Sequence, residues 1–355
     1  MHWNVVAPFI DNVEGRNVTW LTPYVPGNHQ FSCIRRPGRE LNWHEKAAPE
    51  TSYAEWKTLW QQSRAAVETV QGGVITVLPQ LAALVGMQKS LTFQKFPIVS
   101  WWFNTNLYRG HKRWLSQAAM QSINRFVVHN SCEAKAYSRW LGVPVERFKF
   151  VPLQAPLHPI TETEDTESPF VLAVGSAYRD YPLLFEAVKR LGFRTIVVSG
   201  PRVMQGMDIP SMVETPFGVK KPEIISLLQR ARLVVTPMTT EGLTAGTAAI
   251  VEALTMGCPI IATNRSGVED YIRDGETGLY VRPHSLEDLT AAIDRLWHDP
   301  FLRAHLRKQA RQYAQENLTD EAVGTALGQI LNQVAEEAQE ESNRKYYSLF
   351  PRTLL

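Results

Sequence analysis

Short apolar runs rich in Val, Ile, Leu and Phe recur along the chain. Between them lie segments whose apolar residues fall three and four positions apart. The first pattern predicts strands and the second amphipathic helices. In the first half, strands are expected at Trp3–Pro8, Gln30–Arg35, Val74–Leu78, Ile98–Phe103, Arg125–His129 and Phe148–Leu153. Helices are expected at Tyr53–Thr69, where Trp56, Leu59 and Trp60 share one side, at His111–Ser122 and at Cys132–Leu141. Ser131 reads as the N-cap of the last and Gly142 as its C-cap. In the second half, strands are expected at Phe170–Val174, Thr195–Ser199, Leu233–Pro237 and Pro259–Thr263. Helices there are expected at Pro182–Leu191, Pro222–Ala231, Thr247–Met256 and Leu286–Trp297. The strand runs are almost continuously apolar, as parallel strands covered on both faces require. After Pro300 the pattern is helical and charged, over Phe301–Asn317 and Glu321–Glu340, and it loses regularity from Arg344 onward.

Residues 155–168 break this alternation with a Pro-, Thr- and acid-rich stretch without period. The resulting division is a first domain over 1–155, a linker over 156–168, a second domain over 169–318 and a helical segment over 319–355 that returns to the first domain. Each half reads as a doubly wound, Rossmann-like α/β domain, and a cleft between two such domains is the default ligand site. A length of 355 residues suits two cores of this kind.

Charge and aromatic content separate the halves. Residues 1–150 hold 17 Lys and Arg against nine Asp and Glu, whereas the remainder holds 20 against 26. Nine of the ten tryptophans also lie before residue 150. A basic, Trp-rich half either fills its core with Trp and solvates its charges or presents them to an anionic membrane surface. Arg109-Gly-His-Lys-Arg-Trp concentrates both features at an expected helix start. No apolar run approaches the roughly 20 residues of a membrane span. The N-terminus does not read as a signal peptide. The three cysteines, Cys33, Cys132 and Cys258, form no CxxC pair. A cytoplasmic location, peripheral on the inner face of a membrane, is the expectation. With a small net charge and no recognised motif, no nucleic-acid partner is expected.

The chemistry concentrates after Pro237, in Thr240-Glu-Gly-Leu-Thr-Ala-Gly-Thr-Ala-Ala-Ile-Val-Glu-Ala-Leu-Thr-Met-Gly-Cys-Pro. A strand ends, a small-residue loop follows, and a helix begins. Backbone amides at Gly246, Thr247 and Ala248 can bind a diphosphate at such a helix start. Glu252, one and a half turns along, can accept hydrogen bonds from ribose hydroxyls. Taken alone it also reads as a solvated helix carboxylate.

This segment resembles the donor signature of the family 4 retaining glycosyltransferases. The likeness runs through Glu252-Ala-Leu-Thr-Met-Gly-Cys-Pro-Ile-Ile-Ala-Thr, Gly267-Val-Glu-Asp-Tyr-Ile and Asp274-Gly-Glu-Thr-Gly-Leu-Tyr-Val-Arg-Pro. It covers roughly residues 125–300. The resemblance implies the GT-B fold, in which two Rossmann-like domains face each other across a cleft. It also implies metal-independent, hexosyltransferase-like transfer from a nucleotide-sugar to a lipid or glycan acceptor, with no further cofactor. No Asp-x-Asp metal motif stands near a strand end. Glu252 takes the place of the family's ribose-binding glutamate. The family's first glutamate, which contacts the transferred sugar, is replaced by Thr244, and Glu241 is the nearest substitute. Cations of the family neutralise the donor diphosphate; here Gly175-Ser-Ala-Tyr-Arg offers Gly175 and Arg179. The family's Lys-Gly is absent, and Arg202, Lys220 and Lys221 read as surface charges before ligands. Phe217-Gly-Val stands where the family cradles the base. On the acceptor side Trp102 and Asn104 stand where the family often has a histidine; one of Trp101 and Trp102 is expected in the core. His111 and His129 read as structural.

Thr244 and the absent Lys-Gly keep an alternative open: a catalytically silent nucleotide-sugar-binding protein on the same fold. A nucleotide-sugar epimerase would need cleft carboxylates, for which Glu241 is the only candidate.

Overall fold

The protein is described by a computed structural model over residues 1–10, 20–37, 51–105, 107, 109–240 and 246–349. It divides into two units, Met1–Val151 with Val323–Leu355, and Pro152–Ala322.

The first unit contains β1 (His2–Val6), β2 (Gln30–Ile34), α1 (Tyr53–Glu68), β3 (Gly73–Val77), α2 (Pro79–Leu91), β4 (Ile98–Trp101), α3 (His111–Met120), β5 (Arg125–Val128), α4 (Ser131–Leu141) and β6 (Phe148–Phe150). Its parallel sheet has the order β2-β1-β3-β4-β5-β6. Alternate strand residues serve opposite faces. Val6, Val74, Ile98, Phe126 and Val128 pack with Leu59, Leu81, Met120 and Tyr137 of α1 to α4. Trp3, Val5, Ile75, Val99 and Val127 instead pack with Val323, Leu327, Leu331 and Val334 of the C-terminal helix. That helix closes the second face of the sheet.

The second unit continues with β7 (Val171–Val174), α5 (Tyr181–Leu191), β8 (Thr195–Val198), α6 (Pro201–Met204), β9 (Val213–Glu214), α7 (Lys221–Arg230), β10 (Leu233–Thr236), α8 (Thr247–Thr255), β11 (Ile260–Thr263), β12 (Leu279–Val281), α9 (Leu286–His298) and α10 (Pro300–Asn317). The last helix is α11 (Asp320–Leu349). The second sheet is also parallel, in the order β12-β11-β10-β7-β8-β9. Leu172, Val234 and Ile260 pack with α7, α8 and α10, while Ala173, Val235 and Ile261 pack with α5 and α9.

The structure alters several expectations. The helix over 131–141 is capped by Asn130, not Ser131: the Asn130 amide donates to the Glu133 carboxylate at 3.1 Å, and Gly142 ends the helix in the left-handed region at φ +68°. Helical structure runs on through Arg344 to Leu349. The strands β9 and β12 and the helices α2 and α6 are absent from the sequence-based expectation. α2 buries Leu81, Ala82, Leu84 and Val85 and half-buries Ala83, so the positions 81–85 carry no clean 3.6-residue stripe. The stretch after Val151 has no regular secondary structure until β7. It is held by side chains of its own unit. Gln229 donates to the Pro159 carbonyl at 2.8 Å, Arg311 to the His158 carbonyl at 3.0 Å, and Glu164 accepts from Arg232 at 2.8 Å.

Candidate functional site

In the second sheet the chain winds outward from β7 through β8 to β9, then returns to place β10 on the other side of β7. The loops after β7 and β10 therefore leave in opposite directions and open a crevice at the C-terminal ends of these strands. Sequence reasoning placed its donor residues on these two loops.

The β7 loop begins at Gly175, whose φ of +124° a side chain rarely adopts. A Cβ there would lie 2.3 Å from Nη2 of Arg179. The guanidinium is held by its own loop, donating to the Ala177 carbonyl at 2.9 Å and to the Val174 carbonyl at 3.2 Å. The Tyr181 hydroxyl donates to the Gly175 carbonyl and stiffens the turn. Across the crevice, Arg179 forms an isolated backbone bridge with Met238, just after β10. Gly246 then starts α8 with φ +95° and no capping side chain. A Cβ on Gly246 would meet the Met238 sulfur at 2.2 Å and lie 3.5 Å from Nη1 of Arg179. Two glycines thus leave room for one guanidinium at the positive end of a helix. Thr247 and Ala248 follow in the first turn of α8, with Ala248 exposed.

Burial lowers the pKa of Arg179, and the charge of Arg265 lowers it further. Arginine stays cationic through such shifts. Burial also raises the pKa of Tyr181, so its hydroxyl remains a donor. Among the described residues no ion pair holds Arg179, so its charge is not cancelled by a neighbouring carboxylate there.

Glu252 lies further along α8, and its carboxylate turns toward the start of α7, where it pairs with Lys221. Lys221 is thus an exposed charge with a carboxylate partner. The two side chains retain 29% and 53% of their exposure, so the pair is worth at most about 1 kcal/mol. They border a small cavity with Pro156, His158, Ile225 and Met256. Arg202 and Lys220 have no ion pair among the described residues, and Phe217 is exposed before α7. Glu241 and Thr244 lie outside the described residues.

The acceptor-side candidates belong to the first unit. Trp101, the last residue of β4, is 1% exposed, whereas Trp102 is 42% exposed and adopts φ +52°. Asn104 is exposed two residues on. Trp101 and Trp102 both contact the His129 ring edge to face, at 5.6 and 6.2 Å between centroids. The His129 Nδ1 sits 2.7 Å from the Val151 carbonyl, and burial lowers its pKa to about 4. His129 is therefore a neutral core residue. Among the described residues no cluster of His, Cys, Asp or Glu has the composition of a metal site, and no helix is long and apolar enough to cross a membrane. Cys33, Cys132 and Cys258 form no disulfide.

Sequence reasoning missed Met238, Tyr181 and Arg265. Met238 and Tyr181 carry no motif signal: Met238 acts through a contact across the crevice, and Tyr181 through a bond back to the loop that precedes it. Arg265 did carry a signal: a cation two residues beyond the end of a parallel strand.

Residues 161–313 match the family described as glycosyl transferases group 1. The MMP alpha-(1->4)-mannosyltransferase of Mycolicibacterium hassiacum is 27% identical over 221 residues, covering 56% of this chain and 52% of that enzyme. The alpha-D-kanosaminyltransferase of Streptomyces kanamyceticus is 36% identical over 87 residues, covering 24% of this chain and 22% of that enzyme. The chain thus spans about half or less of the length of these relatives. The crystal structure of Anabaena HepE in complex with UDP superposes with a TM-score of 0.65 at 11% identity, covering 94% of this chain and 100% of that one. At that identity the likeness concerns the fold, and the two parallel six-stranded sheets with flanking helices are those of GT-B glycosyltransferases. Gly175, Arg179, Gly246 and Glu252 all lie within the matched residues 161–313.

Proposed function

We propose that this protein transfers a sugar, with retention, from a nucleoside-diphosphate sugar held by its second unit to a lipid or glycan acceptor. The observation that carries the reading is the Arg179 guanidinium held between Gly175 and Gly246 at the start of α8. As the glycosidic bond breaks, the departing diphosphate gains negative charge. A cation and helix amides already in place stabilise that charge without reorganisation. The acceptor oxygen attacks the anomeric carbon on the face from which the diphosphate leaves. Its proton passes to the departing phosphate oxygen, so charge and atoms balance. In this reading Arg179 supplies the charge that a metal supplies elsewhere, and transfer proceeds without one.

The relatives support the same chemistry. The matched enzymes are named for transfer of mannosyl and kanosaminyl groups, and HepE is described with UDP. Retention and membership of family 4 rest on the stretch from Glu252 to Pro283. Glu252 is assigned to the ribose hydroxyls, which requires the carboxylate to share or release Lys221. On the acceptor side the exposed Trp102 offers a face for stacking on a sugar ring. Trp114 and Leu115, exposed on α3 beside Arg109, support docking to an anionic membrane surface.

The test is incubation with a panel of nucleotide-sugars and extracted lipids and glycans, with and without a chelator. A glycosylated product whose anomeric configuration matches the donor, formed equally with chelator, is expected. Inversion would overturn retention, and chelator sensitivity would overturn metal independence. Tight nucleoside-diphosphate binding with no product across the panel would instead support a silent binding protein. Equal affinity of wild type and Glu252→Ala for a nucleoside diphosphate would remove Glu252 from the site.

A further inference from the structure

We propose that the first unit carries a binding site for a phosphorylated monosaccharide at the edge of its sheet where the strands begin; the inference stands apart from the donor reading. Two loops enter the sheet side by side there, 69–72 ahead of β3 and 92–97 ahead of β4, since these strands pair in parallel with Val74 opposite Ile98. Between them lies a cavity of about 220 Å³ lined by Val70, Gln71, Gly72, Gln94, Lys95 and Phe96. The acceptor-side candidates Trp102 and Asn104 follow the other end of β4, roughly 13 Å away along a four-residue strand. The cavity is set by its surroundings. A Cβ on Gly72 would meet the His2 carbonyl oxygen at 2.4 Å, so this loop lies close against β1. The Val74 amide donates to the Pro97 carbonyl at 3.0 Å and ties the two entry points together. Phe93, just ahead of Gln94, is held at φ +54°, a backbone state that bulky residues rarely adopt.

Phe96 supplies an apolar wall and is buried against the core. Gln71, Gln94 and Lys95 are exposed and have no hydrogen-bond or ion-pair partner among the described residues. Each amide both donates and accepts, as the hydroxyls of a sugar ring do, and the ammonium only donates. Charge then narrows the ligand. Lys95 brings an unpaired cation to the cavity. Lys89 lies over the Phe96 ring, 5.4 Å from its centroid, and donates to the Ser122 carbonyl at 3.1 Å. Among the charges acting on Lys89, Arg147 adds to the positive field and Glu341 opposes it. Three cations against one carboxylate leave these surroundings positive, which favours an anionic substituent on the sugar. The cavity is smaller than the roughly 300–1,000 Å³ of pockets for larger ligands, so it suits a single ring and not a nucleotide-sugar.

Calorimetric titration of the whole chain with glucose 6-phosphate, mannose 6-phosphate, glucose, mannose and inorganic phosphate, and separately with UDP and GDP, tests the site on wild type, Lys95→Gln, Gln94→Ala and Arg179→Gln. Wild type is expected to bind a hexose phosphate more tightly than the free hexose or inorganic phosphate. Lys95→Gln should weaken hexose-phosphate binding about tenfold while affinity for UDP and GDP changes less than about twofold. Gln94→Ala should weaken the hexose phosphates more than it weakens inorganic phosphate. Inorganic phosphate binding as tightly as the hexose phosphates would reduce the site to an anion contact and overturn the inference. Hexose-phosphate binding lost in Arg179→Gln and intact in Lys95→Gln would put the ligand at the donor crevice and overturn it as well. A wild type that binds UDP or GDP but no hexose phosphate would overturn the inference and leave the donor reading intact. Should Lys95→Gln fail to fold, Gln71→Ala decides, and a hexose-phosphate affinity equal to wild type there counts against the inference.

Discussion

Gly175 and Gly246 govern Arg179 through what they lack. A methyl group on Gly175 would occupy the space of Nη2, and the φ of +124° would be strained as well. Gly175→Ala is therefore expected to lower nucleoside-diphosphate affinity about as much as Arg179→Gln, on the order of tenfold. Calorimetry with UDP and GDP checks this, and an unchanged affinity would show that the glycine does not seat the guanidinium. A different residue-scale prediction concerns pH. Burial keeps His129 neutral in the folded chain, lowering its pKa from 6.5 to about 4. The unfolded chain takes up that proton near pH 6.5, so between these values it binds more protons than the folded one. Stability from this residue is complete above pH 6.5 and falls as pH drops toward 4, by at most about 3 kcal/mol. His129→Gln should flatten the fall of the melting midpoint across that window; an identical pH profile would refute the assignment.

At the scale of elements, the helices start and stop where local chemistry tells them to. Ser52 accepts from the Glu55 amide at 3.3 Å and Glu55 accepts from the Ser52 amide at 2.5 Å, closing a capping box on α1. Ser52→Ala should destabilise the first unit by about 1 kcal/mol, read from denaturant midpoints, with no effect on nucleotide binding. α8, like α2, α3, α6 and α7, begins without a capping side chain, in its case at a glycine beside the Arg179 guanidinium. A helix left without that cap at the end of a strand is suited to an external anion, in keeping with the function proposed for it. Most strands and most helices could be read from the sequence because a parallel strand buried on both faces is a continuous apolar run. β9 and β12 could not: at two and three residues they show no period, and neither sits in a longer apolar run such as the Phe148–Leu153 stretch that marks the equally short β6. The cap at Asn130 was misplaced by one position, since both Asn130 and Ser131 are residues that cap well.

For the molecule as a whole, the separation of charge along the chain carries a prediction about surfaces. The first 150 residues hold eight more basic than acidic side chains, and α3 exposes Trp114 and Leu115. Sedimentation with vesicles containing anionic lipid should show binding that weakens as salt shortens the Debye length to about 8 Å and below. Replacing Trp114 and Leu115 by Ser should reduce it, and binding indifferent to both changes would remove the membrane surface from the proposal. The amino-acid sequence by itself determined the doubly wound alternation, the position of Gly175 and Arg179 after one strand and of Gly246 and Glu252 at and along the following helix, and the likeness to a glycosyltransferase donor signature. Each of these is a local pattern, set by periodicity or by neighbours along the chain. Only the tertiary structure decided that Glu252 pairs with Lys221, that Arg179 bridges to Met238, and that Arg265 donates to the Thr239 carbonyl. Those relations link residues 31, 59 and 26 apart in the numbering of the chain. No propensity carries over such a separation; it closes only when β7, β10 and β11 align in one sheet.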